Sequence, residues 1–275
     1  MTIFPSVWTG YFEELTIEQA LERLVQAGFA HTELCIDHAE QLLERGKPEK
    51  VGAKLTEFAA DLGMSISQGH LTFAKGLCDP EALEYLKREL EMFAAVGIQN
   101  AVVHFSGGSG LSPEAKMAKR MEGLRVLADF VKGSNVTLCL ENLHGTSQTY
   151  TVEHINGILD AIGGENLGIC LDTGHLHYVN GLGQARQTQR EFIMAAGKRL
   201  RALHITENNG KNDVHQMPYS ARYGIDWADV VAALRQVGYH GLFNLEILGE
   251  CNAPEPIKTA KLHFIRKMTR YMLED

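Results

Sequence analysis

No uninterrupted apolar run in this chain approaches the roughly 20 residues that a membrane-spanning helix needs, so no membrane partner is expected. The segment Met1-Thr2-Ile3-Phe4-Pro5 lacks a basic stretch leading into a long apolar one, so no export signal is read there and a cytoplasmic location is expected. Cysteine is sparse and odd in number, at five, and Cys35, Cys139 and Cys170 fall inside apolar strand candidates. No two cysteines have zinc-knuckle spacing, and buried reduced thiols fit better than a disulfide framework. Positive charge is short too: 26 Lys and Arg against 34 Asp and Glu leave −8 with histidines neutral. That balance disfavours an extended phosphate-binding face, so nucleic acid is not an expected partner. A glycine-rich phosphate turn after the first strand is also missing, since Val7-Trp8-Thr9-Gly10 is no such turn. Its absence counts against a doubly wound open sheet.

What is present is an alternation. Helical spacing of apolar residues runs over Ile17–Ala27, Lys54–Leu62, Glu81–Val96, Pro113–Val131, Val152–Ile162, Gln187–Ala196, Trp227–Val237 and Pro256–Met272. Asp79-Pro80-Glu81 and Ser112-Pro113-Glu114 are N-cap and first-turn proline signals. Gly28, Gly63, Gly97 and Gly238 sit where helices should stop. Between these segments lie short, nearly continuous apolar runs, the pattern of parallel strands covered by helices on both faces. With 275 residues, 45% of them apolar, and no linker, the chain reads as one α/β domain over 1–275, a single (β/α)8 barrel.

The strand ends carry the chemistry. His31–Ile36 delivers Glu33, and Met64–His70 delivers His70. Ala101-Val-Val-His104, Thr137–Glu141, Leu167–Asp172, Arg201–His204 and Leu242–Glu246 follow the same rule. In a barrel, the C-terminal strand ends tilt towards a common centre. Glu141, Asp172, His204 and Glu246 would then surround one point, a mostly oxygen site suited to Mn²⁺, Mg²⁺, Co²⁺ or Zn²⁺. Glu141 and Glu246 could flank a substrate on opposite faces, as proton abstraction beside a carbonyl and a metal-stabilised enediolate demand.

Glu141-Asn142-Leu143-His144-Gly145, Leu171-Asp172-Thr173-Gly174-His175, His204-Ile-Thr-Glu207-Asn208 and Gly224-Ile225-Asp226-Trp227 resemble motifs of the xylose-isomerase-like barrel superfamily. That superfamily includes sugar and sugar-phosphate isomerases, ketohexose 3-epimerases, inosose dehydratases and endonuclease IV. The resemblance implies metal ligands at Glu141, Asp172, His204 and Glu246, with His175 contacting a substrate oxygen or a second metal. It also places His70, His104, His175, Asp213 and His215 where endonuclease IV carries the remaining ligands of a three-zinc cluster. One ion is expected, with up to three accommodated. Two departures stand beside this. Gly210 and Lys211 follow Glu207-Asn208-Asn209, where ketohexose epimerases tend to carry an arginine. Lys75, Lys211 and Arg222 are the only obvious cations in the loops after the strands, a thin set for a bent duplex.

Other residues have open readings. Glu33 is either a substrate or catalytic group or one half of a salt bridge, and Trp8 and Trp227 either line a sugar pocket or cap the barrel. Lys211 and Arg222 could hold one substrate phosphate. Ser106-Gly107-Gly108-Ser109-Gly110 is either a phosphate cradle or a turn. His31, His38, His154 and His263 read as surface or helix residues, and His144 and His177 as orienting partners of ligands. The leading expectation is a metal-dependent isomerase or epimerase of a small keto-sugar, polyol or sugar phosphate, with a homo-oligomer permitted. The rivals are a zinc phosphodiesterase like endonuclease IV, a keto-polyol dehydratase and a non-catalytic sugar-binding module.

Overall fold

A computed structural model describes residues 2–74, 76–145, 149–249 and 252–274. Eight parallel strands alternate with helices: β1 (Ile3–Val7), β2 (His31–Leu34), β3 (Ser65–His70), β4 (Asn100–Val103), β5 (Thr137–Glu141), β6 (Leu167–Asp172), β7 (Leu200–His204) and β8 (Gly241–Leu245). The helices are α1 (Ile17–Gln26), α2 (Ile36–Glu44), α3 (Pro48–Asp61), α4 (Pro80–Val96), α5 (Pro113–Val131), α6 (Val152–Ile162), α7 (Thr173–Gly181), α8 (Gln189–Ala196), α9 (Trp227–Val237) and α10 (Glu255–Leu273). The arrangement is TIM-barrel-like, but the expected single eight-stranded sheet is seen as two. β2 to β7 form a six-stranded curled sheet in sequence order, and β1 pairs with β8. At the seams, regular ladders give way to isolated links. The Thr32 hydroxyl donates to the Val7 carbonyl at 2.7 Å, and Ile205 N–H donates to the Asn244 carbonyl at 2.7 Å.

Local chemistry explains most helix ends. Asp79 accepts from the amides of Glu81 and Ala82 ahead of Pro80, and Ser112 accepts from Ala115 ahead of Pro113. α4 and α9 stop at Gly97 and Gly238 in the left-handed region. The helical spacing read from the sequence leaves out two helices, α2 and α7, although α2 buries Ala39, Leu42 and Leu43 on one face. α2 follows β2 at once, and α7 contains Gly174, Asn180 and Gly181, all poor helix formers. α7 forms because Asp172 caps it through the amide of His175 and because Gly174 lets the backbone sit against Thr206. A Cβ at Gly174 would lie 2.1 Å from the Thr206 hydroxyl.

The core divides by the two-residue period of the strands. Outward residues such as Leu138, Leu140, Ile169, Leu171 and Leu203 join the large apolar layer beneath the helices. A second, small cluster of Val102, Cys139, Cys170 and Ala202 fills the inside of the sheet, one step below the strand-end polar residues. Cys35, Cys139 and Cys170 are buried free thiols as expected, and Cys251 and Lys75 lie outside the described residues. Among the described residues, no helix is long and apolar enough to cross a membrane. His38 lies on a helix, one of the two readings given to it, and not at the surface. It is fully buried in α2, with its ring between the Cys35 thiol and the Leu15 carbonyl.

Candidate metal centre

Strand ends β3 to β8 place a continuous cluster of carboxylates and imidazoles at one mouth of the sheet. Candidate donor atoms of Glu141, Asp172, His204 and Glu246 lie within 4.8 Å of one another, and all four residues are buried. His70, His104 and Glu141 form a second such group. A third region joins His175 Nε2 to Asp213 at 3.2 Å and His215 Nε2 to Asp213 at 3.7 Å. Glu141 is the hinge between them. Its carboxylate meets His104 at 2.8 Å, His175 at 3.1 Å, His204 at 3.3 Å and His70 at 3.5 Å. All nine donor residues singled out in the sequence are thus brought together.

The donor set fits one or more cations on two counts. Asp172 Oδ2, Asp213 Oδ1 and Glu246 Oε2 are buried without a hydrogen bond, an arrangement that costs free energy unless something else satisfies those oxygens. The histidines are also pre-aimed. His70 Nδ1 donates to the Leu71 carbonyl at 2.8 Å, His175 Nδ1 to the Asn142 carbonyl at 3.0 Å, and His215 Nδ1 to the Glu246 carbonyl at 3.0 Å. Each bond fixes the tautomer and leaves Nε2 facing the cluster, the usual second sphere of a metal-bound imidazole. His204 is turned the other way, with Nδ1 3.2 Å from Glu246 and Nε2 pointing into the strand layer below.

Burial and mutual charge set the proton affinities. For Glu141, burial works upward, but His204 and His104 outweigh it and hold the carboxyl well below the usual range. Burial pushes Glu246 up to about 7, only partly offset by His204 and His215. His175 and His204 are raised well above the ordinary value, because neighbouring carboxylates overcome the burial that would lower them. His215 rises to about 10 in the same way, while burial takes His104 down to about 4. Asp213 is lowered: burial opposes this, and the nearby imidazoles of His144, His175 and His215 prevail.

A cleft of about 800 Å³ opens above the cluster. Trp8, Phe73 and Leu248 give it apolar walls, and Lys116 and the buried Arg120, which donates to the Gly107 carbonyl, add cations to the lining. Trp8 therefore lies where a substrate contact was expected, held by its indole N–H on the Ile247 carbonyl at 2.8 Å. The other residues expected at the substrate, Glu33, Lys211 and Arg222, are not among those lining the cleft. Glu33 is fully buried and is no part of the cleft wall; it sits behind His204. Lys211 and Arg222 are exposed and are also absent from the wall, with Arg222 stacking on Tyr223 instead. Trp227 is a core residue. His144 meets Asp213 at 3.2 Å, as an orienting partner should. Sequence reasoning missed Lys116, Arg120 and Phe73 in the wall. The i, i+4 spacing of Lys116 and Arg120 on α5 places them on one helix face, a signal that was legible.

The loop bearing Asp213 and His215 is held by a residue remote from the cleft. Glu207 accepts from the amides of Ser220, Ala221 and Ile225 at 2.7, 3.3 and 3.0 Å and from the Trp227 indole at 3.2 Å. Gly224 admits this packing, since a Cβ there would fall 1.9 Å from Glu207 Oε1. His215 and Tyr219 adopt φ of +41° and +67° in the same loop, backbone strain of a kind that collects at functional sites. Glu207→Ala is expected to lose about 2–4 kcal/mol in urea unfolding, because four donors lose their acceptor at once. An unchanged urea midpoint would show that the loop is held by other contacts.

Comparison with known proteins follows this geometry. A family profile described as "Xylose isomerase-like TIM barrel" matches residues 21–268. A probable endonuclease 4 of Acholeplasma laidlawii is 26% identical over 171 residues, which are 59% of this chain and 58% of that protein. The chain thus spans little more than half the length of that relative. An L-ribulose 3-epimerase of Methylomonas sp. is 24% identical over 247 residues, covering 87% of this chain and 81% of that one. Among solved structures, a D-psicose 3-epimerase in the presence of D-fructose superposes with a TM-score of 0.79 at 18% identity, over 99% of this chain and 100% of that chain. A D-psicose 3-epimerase of Clostridium cellulolyticum H10 with D-tagatose also gives 0.79, at 18% identity, over 98% and 99%. These structural likenesses speak for the fold. With the profile spanning nearly the whole chain and the strand-end cluster in place, the chain belongs to the xylose isomerase-like TIM barrel family.

Proposed function

We propose that this protein is a divalent-metal-dependent isomerase or epimerase of a small keto-sugar, polyol or sugar phosphate. One observation carries the reading: Glu141 and Glu246 both stand in the cleft wall and share one buried group of donor atoms with Asp172 and His204, so two carboxylates able to move a proton flank the place a cation would take. A divalent ion held by Glu141, Asp172, His204 and Glu246 supplies a Lewis acid for a substrate carbonyl. Mn²⁺, Zn²⁺, Mg²⁺ and Co²⁺ all suit that donor set. Glu246 takes the proton from the carbon beside the carbonyl. Glu141 and His175, 3.1 Å apart, form the returning side: the imidazolium carries a proton and the carboxylate orients it. Trp8 and Phe73 shield the exchange from water. The barrel is read as closed across both seams, supported by the parallel bridge between Ile205 and Leu245.

The test is solvent deuterium uptake beside the carbonyl on incubation with candidate ketoses and their phosphates. Exchange on at least one substrate is expected. With ion bound and no label washed in on any of them, the proposal fails. If the substrate is phosphorylated, Lys116 on the cleft rim is its expected anchor. Lys116→Ala should then raise KM for the phosphorylated sugar by about tenfold or more and leave KM for the free sugar unchanged. Equal KM changes for both sugars would remove Lys116 from phosphate recognition.

A second reading is favoured by the completeness of the donor set. Nine donors in one connected cluster also suit a three-zinc phosphodiesterase, in which His70, His104, His175, Asp213 and His215 hold ions. The two readings leave His175 in different states, free to carry a proton in one and bound in the other. Metal counting separates them: one tightly held ion supports the isomerase, and three with cleavage of abasic-site duplex support the hydrolase.

A further inference from the structure

Three of the cluster histidines are aimed by backbone carbonyls, whereas His204 is aimed by a carboxylate. His204 Nε2 lies 3.2 Å from both oxygens of Glu33, and both residues are fully buried. Nε2–H donates to Glu33, so Nδ1 is the nitrogen that faces Glu141 and Glu246 and the one a bound ion would take. Glu33 is itself fixed from below. Gln68 Nε2 donates to its Oε2, as does Asn244 Nδ2 at 3.0 Å, and the Ser6 hydroxyl holds Asn244 Oδ1 at 2.8 Å. Polar side chains from β1, β2, β3 and β8 thus converge under one imidazole of β7.

We propose that Glu33 is a positioning residue for the metal centre, selecting the His204 tautomer that presents Nδ1 to the ion and making that nitrogen a stronger donor. The proposal rests on the metal-centre reading above and goes beyond it, because Glu33 touches neither the cleft nor any other member of the four-donor group. Chemistry favours this over a merely structural carboxylate. Buried carboxylates are costly, and a well-packed apolar residue would fill the same space more stably. What an apolar residue cannot do is accept the Nε2 proton.

The replacement Glu33→Gln separates these roles, because an amide in this position must turn its NH2 away from the Gln68 and Asn244 donors and so loses the two-oxygen grip on Nε2–H. The experiment is zinc binding to the purified full chain by competition with a chromophoric chelator, for wild type, Glu33→Gln, Glu33→Asp and Ser6→Ala. It is paired with 15N NMR of histidine in the zinc-loaded forms. Glu33→Gln is expected to weaken zinc affinity about 10- to 100-fold, Glu33→Asp to recover part of the loss by keeping the charge, and Ser6→Ala, which reaches Glu33 only through Asn244, to weaken it less than either. The His204 signals should show a protonated Nε2 and a coordinated Nδ1 in wild type, and a broadened or mixed pattern in Glu33→Gln. Wild-type affinity in Glu33→Gln, or equal weakening in Gln, Asp and Ser6→Ala together with equal loss of melting temperature, overturns the proposal. A wild-type chain that binds no zinc overturns it along with the metal centre. Failure of the deuterium test with the affinity series intact leaves Glu33 in its role and removes only the isomerase reading.

Discussion

Glu246→Gln is expected to lower the rate of isotope exchange and of kcat by about 10²- to 10⁴-fold, the range a positioned general acid or base supplies. The side chain keeps its size and hydrogen-bonding capacity and loses the exchangeable proton, so the fold is preserved while the chemistry is not. It also loses one anionic donor, and rates should therefore be compared at saturating ion. A rate within tenfold of wild type under those conditions would exclude Glu246 as the proton carrier. The same variant has a second signature in the ion-free protein. Burial pushes Glu246 up to about 7 from its ordinary 4.5, so it favours folding most fully below 4.5 and loses that contribution as pH rises through 7. Glu246→Gln cannot titrate. Its ion-free unfolding free energy should lack this decline, a difference on the order of a few kcal/mol at pH 8.

Removing the ion is expected to have the other large effect, on both activity and the direction of the pH dependence. Without an ion, protons are the counter-charges of the cluster. His175, His204 and His215 are raised, so their contribution is complete below the ordinary imidazole value and is lost as pH rises, for His215 through about 10. Glu246 acts in the same sense over a lower window. Glu141 and Asp213 are lowered, so their contribution is present above the ordinary carboxylate range and disappears only in acid. Chelated protein should therefore melt at progressively lower temperature from about pH 6 towards pH 10. Saturating Zn²⁺ or Mn²⁺ must displace those protons, so its stabilisation should grow with pH. At a thousandfold excess over Kd it amounts to about 4 kcal/mol. Melting curves at several pH values, with chelator and with ion, give the comparison. Parallel pH profiles in the two conditions would mean that the cation does not bind at these protonated groups.

The difference between the legible and the illegible parts of the site is one of register. Glu141, Asp172 and His204 each close their strands, and their strand-end position placed them correctly. Glu33 carries the same signature, yet it stands one residue short of the end of β2 and pairs in register with Gln68 rather than His70. A shift in the ladder between Thr32 and Glu33 sets it beside Gln68, where an unshifted ladder would pair it with Ser67. No apolar pattern records such a shift, because it comes from how two strands meet. Gln68 and Asn244 were legible in principle, since each lies two positions before a cluster residue and so shares its inward face. Lys211 and Arg222 stand apart from the cleft lining for another reason. Following a strand says that a residue is near the mouth, but the path of the 206–226 loop is set by the Glu207 contacts, and these leave both cations outside.

By itself the sequence determined the alternation of parallel strands and helices, because burial on one or two faces imposes periods that short apolar runs and caps reveal. Its strand-end pattern also pointed to Glu141, Asp172, His204 and Glu246, because strand ends in such a fold meet in one place, whereas His175, Asp213 and His215 lie off the strand ends and were implied by the family resemblance alone. Tertiary structure alone decided that Glu141 joins the donor groups, that His204 faces opposite to its fellow histidines, and that Glu33 supports rather than touches the cleft. These depend on side-chain direction and inter-strand register, which arise between segments far apart in the chain and leave no trace in either one.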